Sequence, residues 1–318
     1  METLVVSINS IIPIILLIIL GYYLQAKEWF KESFGSSISR IIMNVALPAS
    51  IFVSVLKYLT INKLIELSSG LLYTLSAVTI SYLIAYLGVF LLKIPVGRRG
   101  TFINTFANAN TIFIGLPLNI ALFGDKSLPY FLVYYITNTI STWAIGVFIM
   151  SADSPNKSQK KKKFNWKKLF PAPLLGFLVA LVFLVLQIPV PSFATATLGY
   201  LGSTVTPLSL IYIGLVLQKA GLKSIQFDRD TIGALTGRFI IAPLVMLLVI
   251  TVAEHYASPL PTIEYQTFMI QSATPVLSVL PILANEAGAD VRYATNVVTT
   301  STILFVIVVP IISLLLGI

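Results

Sequence analysis

Asn110-Thr111-Ile112-Phe113-Ile114-Gly115-Leu116-Pro117-Leu118 places a polar pair, a glycine and a proline inside a segment otherwise apolar enough to cross a membrane. Proline has no amide hydrogen and its ring clashes with the carbonyl one turn back, so a helix running through Pro117 must break or kink. Inside a bilayer a break is tolerated only where protein or a water-filled cavity surrounds the freed backbone. A second such segment, Thr274-Pro275-Val276-Leu277-Ser278-Val279-Leu280-Pro281, lies in the other half of the chain. Interruptions at matching positions of two halves point to a binding site of the kind that secondary carriers build near the bilayer midplane.

The composition around these segments fits a bilayer. Of 318 residues, 57% are hydrophobic and 10% charged, where a soluble domain carries roughly a quarter of its residues as Asp, Glu, Lys or Arg. Ten hydrophobic spans are expected, near 4–26, 35–57, 67–92, 101–124, 128–150, 169–188, 193–218, 229–253, 262–286 and 291–317. At about 20 to 25 residues each they consume most of the chain, which leaves no room for a soluble catalytic domain. The first span has Glu2 as its only early charge and too long an apolar run for a cleaved signal peptide, so it reads as a retained helix. Without cysteine there is no disulfide and no thiolate nucleophile or ligand. The single histidine, His255, sits beside Glu254 with no ligand cluster or triad near it in sequence, and reads as a solvated interfacial residue. No cofactor or metal and no catalytic centre is expected.

A net charge of +9 would suggest a nucleic-acid partner in a soluble protein. Here it marks the cytoplasmic loops, so no such partner is expected. The densest cluster, Lys157, Lys160 to Lys163, Lys167 and Lys168, falls between the fifth and sixth spans. With that loop inside, alternation puts Lys27, Lys31, Arg40, Lys93, Arg98, Arg99, Lys219, Lys223, Arg229 and Arg292 inside as well, and only Lys57, Lys63 and Lys126 outside. The expectation is a multi-pass protein of the cytoplasmic membrane with both termini outside; anionic lipid headgroups are a partner the lysine cluster can take, but orientation alone is sufficient to explain it.

The lysine-rich segment 151–168 divides the chain into five spans over 1–150 and five over 169–318. An odd number per half makes the second half enter the membrane from the opposite side, the arrangement of an inverted repeat. Sequence traces agree. Leu116-Pro117 and Leu280-Pro281 are each followed, seven residues after the proline, by Gly124 and Gly288. Each half then runs into a polar span, with Asn138, Thr139, Ser141 and Thr142 in one and Asn296, Thr299, Thr300 and Ser301 in the other.

Pro117 and Pro281 each suit the first turn of a new half-helix, where no amide hydrogen is needed. Such a start carries about half a positive charge, so two starts converging on one cavity favour an anion. Neutral hydrogen-bonding groups surround both: Asn104, Asn108, Asn110 and Thr111 before the first, Gln271, Ser272, Thr274 and Ser278 around the second. Asn110 and Thr111 read as substrate contacts, Asn138 and Asn296 as bonds between helices. Arg238, well inside the eighth span, either supplies a countercharge to an organic anion or snorkels to the cytoplasmic surface. The acids near the spans, Glu66, Glu254, Glu264, Glu286 and Asp290, are all expected at span ends, with Glu286 the candidate for a gating or proton-linked role.

At these residues the chain resembles the auxin efflux carrier family, which includes the plant PIN transporters and bacterial permeases for malate or malonate. The likeness rests on Asn110-Thr111 with Gly115, Pro117 and Leu118, on Ala273, Pro275, Pro281, Ala284 and Glu286, on Asn44 with Pro48, and on Arg238 with Pro243. It implies an all-α membrane fold of two inverted five-helix repeats whose fourth and ninth helices cross at their breaks. It also implies a scaffold of spans 1, 2, 6 and 7 that forms a homodimer, and a transport domain of spans 3–5 and 8–10 that moves like an elevator. The chemistry at the breaks and the resemblance together give the expected substrate-binding set: Asn44, Asn110, Thr111, Gly115, Pro117, Arg238, Gln271, Ser272, Thr274, Pro275, Ser278 and Pro281.

Two functions follow as expectations. One is a secondary carrier of a small mono- or dicarboxylate; the other is a sodium- or proton-coupled symporter of larger amphipathic acids, resembling bile-acid carriers. A membrane-embedded receptor or enzyme is disfavoured, because the spans leave no catalytic constellation.

Overall fold

Backbone groups in lipid are satisfied within a helix, and helices make up the regular structure among the described residues. The computed structural model describes residues 2–31, 33–153, 170–221, 225–256 and 259–317, without the side chains of 2–11, 63–66, 68 and 220. The lysine cluster and Lys223, on which the expected orientation partly rests, lie outside the described residues.

The helical segments are α1 Glu2–Ala26, α2 Phe34–Tyr58, α3 Ile61–Leu91, α4 Arg99–Ala107, α5 Thr111–Phe123, α6 Asp125–Ala152, α7 Ala172–Val185, α8 Ser192–Lys219, α9 Arg229–Glu254, α10 Thr262–Ser272, α11 Leu280–Ala287 and α12 Val291–Leu315. Six of them (α2, α3, α6, α8, α9 and α12) are long and apolar enough to cross a membrane, and α1, α5 and α7 contain shorter apolar helices. The expected ninth span is two short helices, α10 and α11, separated by 273–279.

Three of the prolines inside these segments are accommodated in the same way. Wide π turns at Ile42–Ala46, Thr111–Gly115 and Gly237–Ile241 are each followed, two residues past their end, by Pro48, Pro117 and Pro243. A π turn inserts one extra residue into the ladder, which moves the carbonyl that a proline ring would otherwise strike. This corrects the position of the first break. The sequence places it at Pro117, but α4 ends at Ala107, the chain is unwound over 108–110, and helix resumes at Thr111. Pro117 therefore lies inside a resumed helix rather than starting one. Pro281 does sit in the first turn of α11.

Two sets of helices pack among themselves. The helix α1 lies along α8, and α2 lies against α7 and α8. In the other set α3 packs on α4, α6 and α9, α10 on α6 and α9, and α11 on α12. At one end of that second set, Arg98 binds three carboxylates at the starts of α9 and α12. Its Nε donates to Asp290 (2.9 Å) and its Nη1 to Asp228 and Asp230 (3.0 Å each), while the guanidinium lies 4.8 Å from the Tyr293 ring centre. Asp153, just past α6, accepts the Gly97 and Gly100 amides at 3.0 and 2.9 Å.

The crossing of two broken helices as the candidate site

The unwound segments meet. The Asn110 amide donates to the Pro275 carbonyl (2.8 Å) and the Leu277 amide to the Asn108 carbonyl (3.3 Å), which makes an antiparallel bridge between Ala109 and Val276. Each bridging residue then points its own amide outward, to a later helix of its own half. Ala109 N–H donates to Asn138 Oδ1 at 2.8 Å, and Asn138 Nδ2 donates back to the Ala109 carbonyl at 3.0 Å. Val276 N–H donates to Ser301 Oγ at 3.2 Å. Buried peptide groups need such partners, and here α6 and α12 supply them.

Both helix starts border one cavity of about 370 Å³. Asn110, Thr111, Ile112 and Phe113 at the start of α5 form one wall, and Leu277, Ser278 and Val279 before α11 form another. Tyr135, Asn138, Thr139, Thr142 and Trp143 of α6 form the third, and Ser39, Met43 and Pro171 complete the lining. None of these side chains carries a charge. The Asn110 Oδ1 caps α5 by accepting the Phe113 amide at 3.3 Å. Thr142 Oγ1 is buried with no hydrogen-bond partner among the described residues. The starts of two helices therefore present partial positive charge to a cavity lined by neutral hydrogen-bonding groups.

Of the residues expected to bind substrate, Asn110, Thr111 and Ser278 line this cavity. Others hold the crossing together. Gln271 Nε2 donates to the Gly115 carbonyl at 2.9 Å, Thr274 Oγ1 donates to the Gln271 carbonyl at 2.9 Å, and Pro275 carries a bridge carbonyl. Pro117 is buried in α5 and Pro281 begins α11. Asn44 lies apart: it is exposed and bonds the Arg40 carbonyl of its own helix at 3.0 Å.

Arg238 takes neither of the two roles that its sequence position left open. It is 0% exposed, so it does not snorkel, and it does not line the cavity. Its Nη1 donates to the Phe106 carbonyl at 3.1 Å and its Nη2 to the Ser272 carbonyl. These carbonyls end α4 and α10, the two negative helix termini on the other side of the crossing. One guanidinium thus caps both.

The sequence pointed to Asn138 as a helix-to-helix contact and to Thr139 and Thr142 only as members of a polar span, not as site residues. Asn138 does make such a contact, but to unwound backbone and from the cavity wall. The i, i+4 pair Asn138 and Thr142 was the available signal. Asn104 and Asn108, expected near the substrate, are instead tied to each other (2.7 Å), to Tyr82 and to Ser141. Asn296 bonds the backbone of Gln226 (2.8 Å for each contact), away from the crossing.

Known proteins place the chain among membrane transporters. The family described as membrane transport protein matches residues 6–313. An uncharacterized transporter of Methanothermobacter thermautotrophicus is 24% identical over 98% of both chains. Another, from Methanocaldococcus jannaschii, is 23% identical over 93% of this chain and 95% of its own. The uncharacterized transporter YfdV of Escherichia coli K12 is 24% identical over 95% of each. With its broken helices, its multi-pass apolar architecture and a family match over nearly its whole length, the chain belongs to the membrane transport protein family, that of the auxin efflux carriers.

Proposed function

We propose that this protein is a secondary carrier that moves a small organic anion, a mono- or dicarboxylate of malate or malonate size, across the cytoplasmic membrane. The observation that carries the reading is the shared cavity at the starts of α5 and α11, which offers two positive helix ends and no competing carboxylate. Its volume of about 370 Å³ lies at the small end of ligand pockets, which favours a short acid over a larger amphipathic one.

In this reading the chain crosses the membrane ten times as two inverted repeats, 1–150 and 169–318, with both termini outside. The paired bridges to Asn138 and Ser301 support the repeat. The set α1, α2, α7 and α8 is the scaffold, through which a homodimer forms, and α3–α6 with α9–α12 moves against it as an elevator. The extensive packing of α1 on α8 and of α2 on α7 and α8 supports that division.

Uptake of radiolabelled malate and malonate into proteoliposomes tests the proposal. Asn110→Ala removes a polar contact and the α5 cap, and losing a hydrogen bond to a charged ligand costs about 1.5–3 kcal/mol. Affinity should fall roughly ten- to hundredfold. Unchanged uptake in the variant, or no short carboxylate moved by the wild type, would overturn it.

A further inference from the structure

One face of α10 carries Glu264, Thr267 and Gln271, at the i, i+3, i+7 spacing that aligns side chains along a helix. They are 3%, 0% and 0% exposed. A polar stripe through an apolar bundle is costly and marks function by default. At one end Glu264 lines a second cavity, of about 600 Å³, with Tyr58, Tyr73, Lys126 and Tyr130. At the other end Gln271 reaches the crossing through the Gly115 carbonyl. Thr267 Oγ1 and Gln271 Oε1 have no hydrogen-bond partner among the described residues.

Glycines on the facing helices make room for the stripe. A Cβ at Gly70 of α3 would stand 2.6 Å from Glu264 Oε1, and one at Gly115 of α5 would overlap Gln271 Oε1. The sequence expected Glu264 at a span end; it does lie in the first turn of α10, but buried between helices rather than at the surface.

We propose that Glu264 is the proton-binding carboxyl that couples anion movement to a proton gradient. This deepens the anion-carrier reading and rests on it. An anion moving alone carries its charge through the membrane potential, at about 2.3 kcal/mol per elementary charge per 100 mV. A proton taken along cancels one charge. It passes from water in the 600 Å³ cavity to the Glu264 carboxylate, travels as the neutral acid's O–H, and returns to water on the opposite face. The unpartnered oxygens of Thr267 and Gln271 are stations for ordered water between Glu264 and the crossing. Among the described residues, the titratable groups facing Glu264 include Tyr73 of α3, Lys126 and Tyr130 of α6, Tyr58 of α2, and Glu254 at the end of α9, which acts with Glu264 on Tyr73. The helix α5 presents only uncharged residues.

The test uses malate as probe, in sodium-free proteoliposomes acidic on the side of Lys126. Wild-type uptake should rise several-fold under the gradient. Glu264→Gln keeps the shape but takes up no proton, so its uptake should fall to the level without a gradient while malate counterflow persists. Thr267→Val should lose several-fold of the gradient response and also keep counterflow. A wild-type gradient response in both variants, or uptake that follows sodium instead, overturns the proposal. Absence of malate counterflow in the wild type counts against the carrier reading, and infrared pH titration of the lipid-embedded protein then decides the proton site alone. A protonated-carboxyl band should be present in the wild type and in Glu254→Gln and lost in Glu264→Gln; identical spectra in all three overturn it.

Discussion

Asn138 does for Ala109 what a neighbouring strand would do, matching one amide and one carbonyl with a single side-chain carboxamide. Asn138→Ala leaves both groups unpaired where little water can reach, at about 1–3 kcal/mol for each. A lowered thermal unfolding midpoint and reduced uptake are expected together; an unchanged midpoint would mean that the break does not depend on this residue. Arg238→Gln removes a charge shared by two helix ends, each interaction being worth up to about 2 kcal/mol. Stability should fall while the ratio of affinities for mono- and dicarboxylates stays the same. A selective loss of dicarboxylate binding would restore the countercharge role. Both residues were visible in the sequence as polar groups in apolar spans, but the bonds that tie them to the crossing go to backbone atoms of Ala109, Phe106 and Ser272. Residue types do not announce which peptide groups a fold leaves unpaired.

At the scale of the element, proline signalled an interruption in each half, and both interruptions exist. One was misplaced, because a π turn has no periodic signature and let Pro117 be absorbed by the helix. Pro117→Ala tests what the turn is for. With an amide restored, residue 117 can bond the Phe113 carbonyl and tighten the turn. A proline inside an α-helix costs about 3 kcal/mol or more, so the variant's unfolding midpoint should hold or rise while its transport slows. A clear drop in the midpoint would show that the proline stabilises the resumed helix instead. The start of α5 should survive in the variant, because Asn110 is held by both its bridge and its cap.

The six long helices were legible at the scale of the whole molecule, because hydropathy and length alone set them. Their partners were not legible in hydropathy, since every apolar face looks alike to it; the grouping of α2 with α7 was implied only by the family resemblance, and the packing of α3 on α9 emerges from the fold. The cluster at Arg98 belongs to this scale because it ties two interhelical loops and the turn before α12 into one end plate. Arg98 is 30% exposed, so each pair contributes only about 0.2–1 kcal/mol. Burial pushes the Asp228 carboxyl up, yet hydrogen bonds from Thr231 and the Arg98 guanidinium outweigh it and hold it below its ordinary 3.8. A depressed folded value means that the contribution is complete above 3.8 and is lost as pH falls through the lower value. Thermal midpoints of wild type and Arg98→Gln should therefore differ at neutral pH and converge in acid. A gap that persists in acid would assign the stability to the Tyr293 stacking instead.

The bridge between Ala109 and Val276 also sets a timetable. A ribosome finishes α4 and α5 long before it reaches α10, so the Asn110 amide and the Asn108 carbonyl wait in the membrane for partners not yet made. Until then the first half has no completed crossing and no two-sided cavity. The protein therefore has a late assembly step in which the second half closes the first, and a chain released before residue 275 would leave an open backbone for quality-control proteases to find.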